Sequence, residues 1–328
     1  MRENASTPPS VGKRRHRLTA MLVAVLTVVG LASVVVGSGQ ANARIGATQV
    51  GRQQFYVNGC GMPNVKVRAW KRPGNYKTVI MLDGMRAQYD YSGWEINTNI
   101  QEMVRSGVNV VEPIGGPASF YTDWNAPSNF NNQRYRYRWN CVITNTLIRG
   151  LDARGFRVGN RKYAIMGLSM GGNAALVIGA QNRRNFDRAA SLSGYNFLSA
   201  PGMHTMIRLA MLDVDPKPWN SDSMWGPPWD ARWYQNDPFL NINRMHGMKI
   251  FVGSGNGLFG KYNALPNVFD DLFKGSTLEF LAFTQAKAFE AAAALQGLPV
   301  MTYDAVGTHA WGYWQDMVWN AKARGFFH

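Results

Sequence analysis

The stretch Tyr163-Ala164-Ile165-Met166-Gly167-Leu168-Ser169-Met170-Gly171-Gly172-Asn173-Ala174 carries the decision about this chain's architecture. The apolar run 162–166 reads as a strand that stops at Gly167. The Ala-rich run 173–181 reads as a helix. Strand, tight turn and helix thus succeed one another across Gly167-Leu168-Ser169-Met170-Gly171, the G-x-S-x-G pattern in the context that gives it meaning. A serine on so sharp a turn holds its Oγ exposed. Glycines on both flanks let the strand and helix backbones pass closely. The first amides of the helix add positive potential where an oxyanion would develop. Ser169 is therefore read as a nucleophile rather than as part of a chance Gly-Ser-Gly turn.

Outward from this elbow, short apolar runs alternate with helical stretches. Strands are expected at 65–70, 77–82, 107–112, 188–192, 249–252 and 299–306, and further helices at 139–154 and 278–295. The alternation predicts an α/β chain of the α/β-hydrolase type, with a mostly parallel central sheet flanked by helices. There is no internal repeat, low-complexity linker or composition break, so one domain over 44–328 is expected. Residues 201–238, rich in Trp, Pro and Asp, read as an irregular insertion over the site.

The 328 residues are 46% hydrophobic and 17% charged, enough for one large core and too apolar for disorder. Lys13, Arg14, Arg15 and Arg17 precede an apolar run from Leu18 to about Val36, and Ala41-Asn42-Ala43 offers small residues for cleavage. This is the pattern of a secretory signal peptide over 1–43, with a membrane anchor as the alternative. No later segment is apolar enough to span a bilayer. Removing 1–43 takes away five Lys/Arg and one Glu, leaving 30 basic and 19 acidic residues and a formal charge of +11. That charge suits anionic envelope polymers. No basic cluster carries a nucleic-acid-binding signature, so nucleic acid is not expected as a partner. An exported chain with two cysteines, Cys60 and Cys141, is expected to join them in a disulfide. Four histidines beyond the leader leave no pattern for a metal site, and no cofactor is expected.

A serine hydroxyl needs a base. In this fold the chain order is Ser, acid, His. His204 and His246 fall ahead of the penultimate strand, whereas His309 comes directly after the last one, which makes it the candidate base. The acid is not settled by pattern. The loop 253–257 holds no carboxylate, and Asp270, Asp271, Glu279, Glu290 and Asp304 all remain, with Glu279 only slightly ahead. The second oxyanion amide, beside that of Met170, falls to Met85 in Asp83-Gly84-Met85-Arg86. Trp311, Tyr313 and Trp314, just after the base, read as core more than as a ligand platform.

Longer motifs add a resemblance. Leu82-Asp83-Gly84-Met85-Arg86-Ala87-Gln88, Gly93-Trp94-Glu95-Ile96-Asn97-Thr98, Ser119-Phe120-Tyr121-Thr122-Asp123-Trp124, Ser223-Met224-Trp225-Gly226-Pro227 and Gly307-Thr308-His309-Ala310-Trp311 resemble the mycolyltransferase (antigen 85) family, in its order and over nearly all of the chain after the leader. The divergence resembles a corynebacterial-type or related actinobacterial member. The resemblance implies export to a mycolate-containing envelope. It implies transfer of a mycolyl group from trehalose monomycolate to a second trehalose monomycolate or to cell-wall arabinan, without metal or organic cofactor. It selects Glu279 as the acid, because Thr284 and Phe289 keep the family's frame. Asp83, Arg86, Asn97 and Trp311 fall on family positions near the trehalose site. Ser254 stands where the family has a cysteine near the acid, and Phe283 where it has an arginine. Two rival functions use the same chain: a secreted carboxylesterase or lipase with water as acceptor, and a non-catalytic envelope-binding homologue.

Overall fold

The computed structural model describes residues 51–214, 217–263 and 275–328. The expected leader, 1–43, and the acid candidates Asp270 and Asp271 lie outside the described residues.

Eight strands form one sheet in the order β1-β2-β4-β3-β5-β6-β7-β8. They are β1 (Arg52–Gly59), β2 (Met62–Trp70), β3 (Lys77–Leu82), β4 (Val108–Pro113), β5 (Tyr163–Leu168), β6 (Phe186–Leu192), β7 (Lys249–Gly255) and β8 (Val300–Ala305). β1, β2 and β4 pair antiparallel, and every pair from β4 to β8 is parallel. β3, β4 and β5 are buried along their whole length, as parallel strands covered by helices on both faces must be. The α/β-hydrolase architecture expected from the elbow is the one found.

Register decides where chemistry collects. Leu82 lies opposite Gly167, Leu168 opposite Leu192, Leu192 opposite Gly253, and Gly255 opposite Ala305. The carboxyl ends of β3, β5, β6, β7 and β8 therefore form one rim. Asp83, Ser169, Ser193, Asn256 and the 306–309 loop emerge from that rim, where open α/β sheets present their sites.

Two apolar clusters pack the sheet. One holds the helix Met170–Gln181 with Phe120, Trp124, Trp225 and Phe289. The other holds Trp94, Tyr313, Trp314 and Phe326. Tyr313 and Trp314 are thus core, as read from sequence, and Trp311 is half-buried beside them. At the opposite end of the sheet, the buried Lys77 Nζ sits 2.7 Å from Asp187 Oδ1, and Arg188 clasps the same carboxylate. Burial pulls Lys77 down to about 8, more than its bond to Asp187 pushes it up.

The structure corrects the reading of 201–238 as irregular. The segment carries the helices Met203–Leu212, Ser221–Trp225 and Ala231–Gln235, the last two capped by Asn220 and Asp230. The expected helix 139–154 is interrupted by a π turn, Val142–Thr146, where Thr144 Oγ1 donates to the Asn140 carbonyl at 2.7 Å. Cys60, in the turn between β1 and β2, is bonded to Cys141 across 81 residues, as expected.

Candidate active site

Ser169 has φ 52° and ψ −122°, a backbone that a non-glycine residue holds only under constraint. The constraint is visible. Its N–H donates to the Leu192 carbonyl at 2.8 Å, and its own carbonyl accepts from Gly172 at 2.9 Å. A Cβ at Gly167 would meet the Gly171 carbonyl at 2.3 Å, and one at Gly171 would meet the Asp83 carbonyl at 2.4 Å. Both glycines are thus needed for the strand, the helix and the β3 turn to meet.

That turn supplies the second amide. A Cβ at Gly84 would lie 3.5 Å from Ser169 Cβ, so the turn rests directly against the nucleophile. Among the described residues, no hydrogen bond uses the N–H of Met85 or of Met170. Two unengaged amides flank Ser169, an arrangement suited to a negatively charged oxygen.

Glu279 and His309 come together as the resemblance implied. His309 Nδ1 lies 2.6 Å from Glu279 Oε2. No hydrogen bond among the described residues occupies the other ring nitrogen. Glu279 is fully buried, and its second oxygen accepts from the Ser193 hydroxyl at 2.6 Å, the Ser254 hydroxyl at 3.2 Å and the Gly255 N–H. Such a set of donors holds a carboxylate in one orientation. Trp314 packs edge-on to the imidazole and donates its indole N–H to Ser193 Oγ at 2.9 Å. The other described acid candidates are elsewhere: Glu290 and Asp304 both pair with Lys287. Of the other histidines, His204 packs against Trp233, and His246 offers only its carbonyl, to Arg183.

Three of the four sugar-site candidates cluster around Gly93. Asp83 Oδ1 accepts from the Gly93 N–H at 3.1 Å, and Asn97 Nδ2 donates to the Gly93 carbonyl at 3.1 Å. A Cβ at Gly93 would strike the Trp311 ring at 2.2 Å. Arg86 stands apart from them in an exposed ion pair with Asp213, 2.7 Å. Asp83 is buried with Oδ2 unpartnered, and burial raises its carboxyl to about 7 against the lowering effect of its hydrogen bonds. Behind it, Glu112 is wholly buried with both oxygens unpartnered, and burial raises its pKa well above the ordinary value.

The "Putative esterase" family model matches residues 61–324. The diacylglycerol acyltransferase/mycolyltransferase Ag85C of Mycobacterium leprae is 38% identical over 253 residues, 75% of this chain and 72% of that protein. Ag85B of Mycolicibacterium smegmatis is 34% identical over 320 residues, 92% of this chain and 93% of that one. The chain belongs to the antigen 85 mycolyltransferase family. The crystal structure of Mycobacterium tuberculosis MPT51 (FbpC1) shares the fold, with TM-score 0.69 and 21% identity over 84% of this chain and 99% of the other.

Within this antigen 85 frame, sequence reasoning missed the residues that hold the machinery. Ser193, in Ser193-Gly194-Tyr195-Asn196 after β6, donates its hydroxyl to Glu279 Oε1. The available signal was positional: a polar, glycine-containing turn at the carboxyl end of a central strand. Ser254, noted as a departure from the family, proves to be a direct hydrogen-bond partner of Glu279.

Proposed function

We propose that this chain is an exported serine acyltransferase. It moves a mycolyl group from trehalose monomycolate to a second trehalose monomycolate or to the arabinan of cell-wall arabinogalactan, by way of an ester on Ser169. The observation that carries this reading is the complete set at one rim: a strained serine elbow with two unengaged amides, and a buried Glu279 locked to His309.

In the first half-reaction, His309 takes the Ser169 proton and Oγ attacks the mycolyl carbonyl. The Met85 and Met170 amides receive the oxyanion, each donor typically worth ~3–4 kcal/mol. The trehalose 6-oxygen leaves with the proton from His309. In the second half, an acceptor hydroxyl gives its proton to His309 and attacks the acyl-enzyme. Glu279 keeps the imidazole oriented and supports its charged form. Asp83, Asn97 and Trp311 bind the sugar, a reading supported by their meeting at Gly93, and Arg86 contributes from the rim. The relatives are named as mycolyltransferases, which favours a glycolipid acyl donor over a simple ester. The survival of Ser169, Glu279 and His309 argues against a non-catalytic binding role.

The leader is proposed to end at Ala43, with the domain 44–328 acting in the cell envelope. No helix among the described residues is long and apolar enough to cross a membrane. The test feeds trehalose monomycolate carrying labelled mycolate to purified enzyme, with and without arabinan. Label is expected in the dimycolate or on arabinan, and Ser169→Ala is expected to abolish it while leaving the melting temperature unchanged. Label found only as free mycolic acid would make the enzyme an esterase. Transfer by Ser169→Ala would end the assignment.

A further inference from the structure

The hydroxyl that steadies Glu279 is itself held from behind. Ser193 follows β6 with φ 49°, a left-handed backbone that a residue with a side chain adopts only under constraint. Its N–H donates to the Gly253 carbonyl at 2.7 Å, which fixes the turn against the end of β7. Trp314, in the first turn of the helix Trp311–Ala323, is buried and donates its indole N–H to Ser193 Oγ at 2.9 Å. Ser193 Oγ donates in turn to Glu279 Oε1 at 2.6 Å, and Glu279 Oε2 meets His309 Nδ1 at 2.6 Å. The same indole also touches the far end of this run, its ring lying edge-on to the His309 imidazole with centroids 4.9 Å apart.

We propose that Trp314 is a positioning residue for acyl transfer: its indole N–H sets the direction of the Ser193 hydroxyl, which holds Glu279 and, through it, the base. This rests on Glu279 and His309 being the acid and base of the reaction. An indole N–H can only donate, and a hydroxyl has one proton to give. With Trp314 on its lone pair, the Ser193 oxygen has Glu279 Oε1 as the partner left for its proton. Oε1 then receives the Ser193 O–H and the Gly255 N–H and has no place for a proton of its own. The carboxylate accepts through Oε2 from Nδ1–H, which leaves Nε2 with the lone pair that a base needs. Ser254 shows what the indole adds. Its single proton faces the Gly255 carbonyl at 2.9 Å as well as Glu279 Oε1 at 3.2 Å, and it can serve only one of them. Ser193 is the hydroxyl whose direction is fixed, and Trp314 is what fixes it.

Benzothienylalanine at position 314 keeps the bicyclic ring and its edge-on contact but replaces the N–H with sulfur. With a short-chain nitrophenyl ester, kcat per folded molecule is expected to fall roughly three- to tenfold, the worth of one hydrogen bond, with KM unchanged. The same replacement made in Ser193→Ala should cost nothing further, because Trp314 acts through Ser193. A merely structural tryptophan would give the same loss in both backgrounds, and that result would overturn the proposal. An unchanged kcat in the single variant would overturn it too, as would a loss explained wholly by a lower folded fraction. If the benzothienyl protein does not fold, Trp314→Phe enters the same cycle. If Ser193→Ala does not fold, Ser193→Cys, whose thiol is a weak donor and acceptor, takes its place, and the same outcomes decide. Glu279→Gln with nearly full activity would instead remove the acid assignment on which the role of Trp314 depends.

Discussion

Glu279 spends one carboxylate oxygen on His309 and the other on Ser193, Ser254 and Gly255, so it cannot rotate away from the imidazole without breaking several bonds. Glu279→Gln would keep the shape and favour the wrong imidazole tautomer. By analogy with triads in general, kcat should drop about 10³–10⁴-fold with KM little changed, measured with a nitrophenyl ester. A drop under tenfold would mean that His309 is oriented by other groups. Asp83 offers a test by pH. Its carboxyl rises from 3.8 to about 7 on folding, because burial outweighs its hydrogen bonds. A group raised in the folded state lends stability that is present below pH 3.8 and lost as pH climbs through about 7. Asp83→Asn cannot ionise, so its melting temperature should gain on wild type between pH 4 and pH 8. A constant difference across that range would show that Asp83 titrates normally.

The elbow was legible from sequence because its requirements are local: two glycines, a strand before and a helix after. The acid was not, because it lies on the helix Thr277–Leu295 and reaches back over the end of β7, a meeting that no spacing along the chain encodes. β1 escaped notice because only Phe55, Val57 and Gly59 of its eight residues turn inward, too weak an alternation at a sheet edge. The helix Gly93–Asn97 carries a prediction of its own. Gly93→Ala would drive a methyl group into the Trp311 ring and crowd Asp83. We expect KM for trehalose monomycolate to rise at least about tenfold, as one displaced buried contact commonly costs over 1 kcal/mol. Hydrolysis of a short-chain nitrophenyl ester at Ser169 should be nearly unchanged. Equal losses on both substrates would place the damage in the elbow instead of the sugar side.

At the scale of the molecule, the disulfide fastens the β1–β2 hairpin to the helical segment that begins at Trp139, closing a loop of 81 residues. Disulfides typically contribute about 2–4 kcal/mol, which in a domain of this size corresponds to a fall in Tm of roughly 5–15 °C on reduction. Differential scanning fluorimetry of Cys60→Ser, Cys141→Ser against wild type measures it. The active rim should survive at 25 °C, since neither cysteine touches Ser169, Glu279 or His309. The sheet also separates its labours by end. Lys77, Asp187 and Arg188 close the amino-terminal end, a strand length away from every group assigned to acyl transfer. Variation there has no direct path to turnover. A library built around Lys77 would therefore report folding alone, and give an internal yardstick for sorting inactive variants of the rim into those that cannot react and those that never folded.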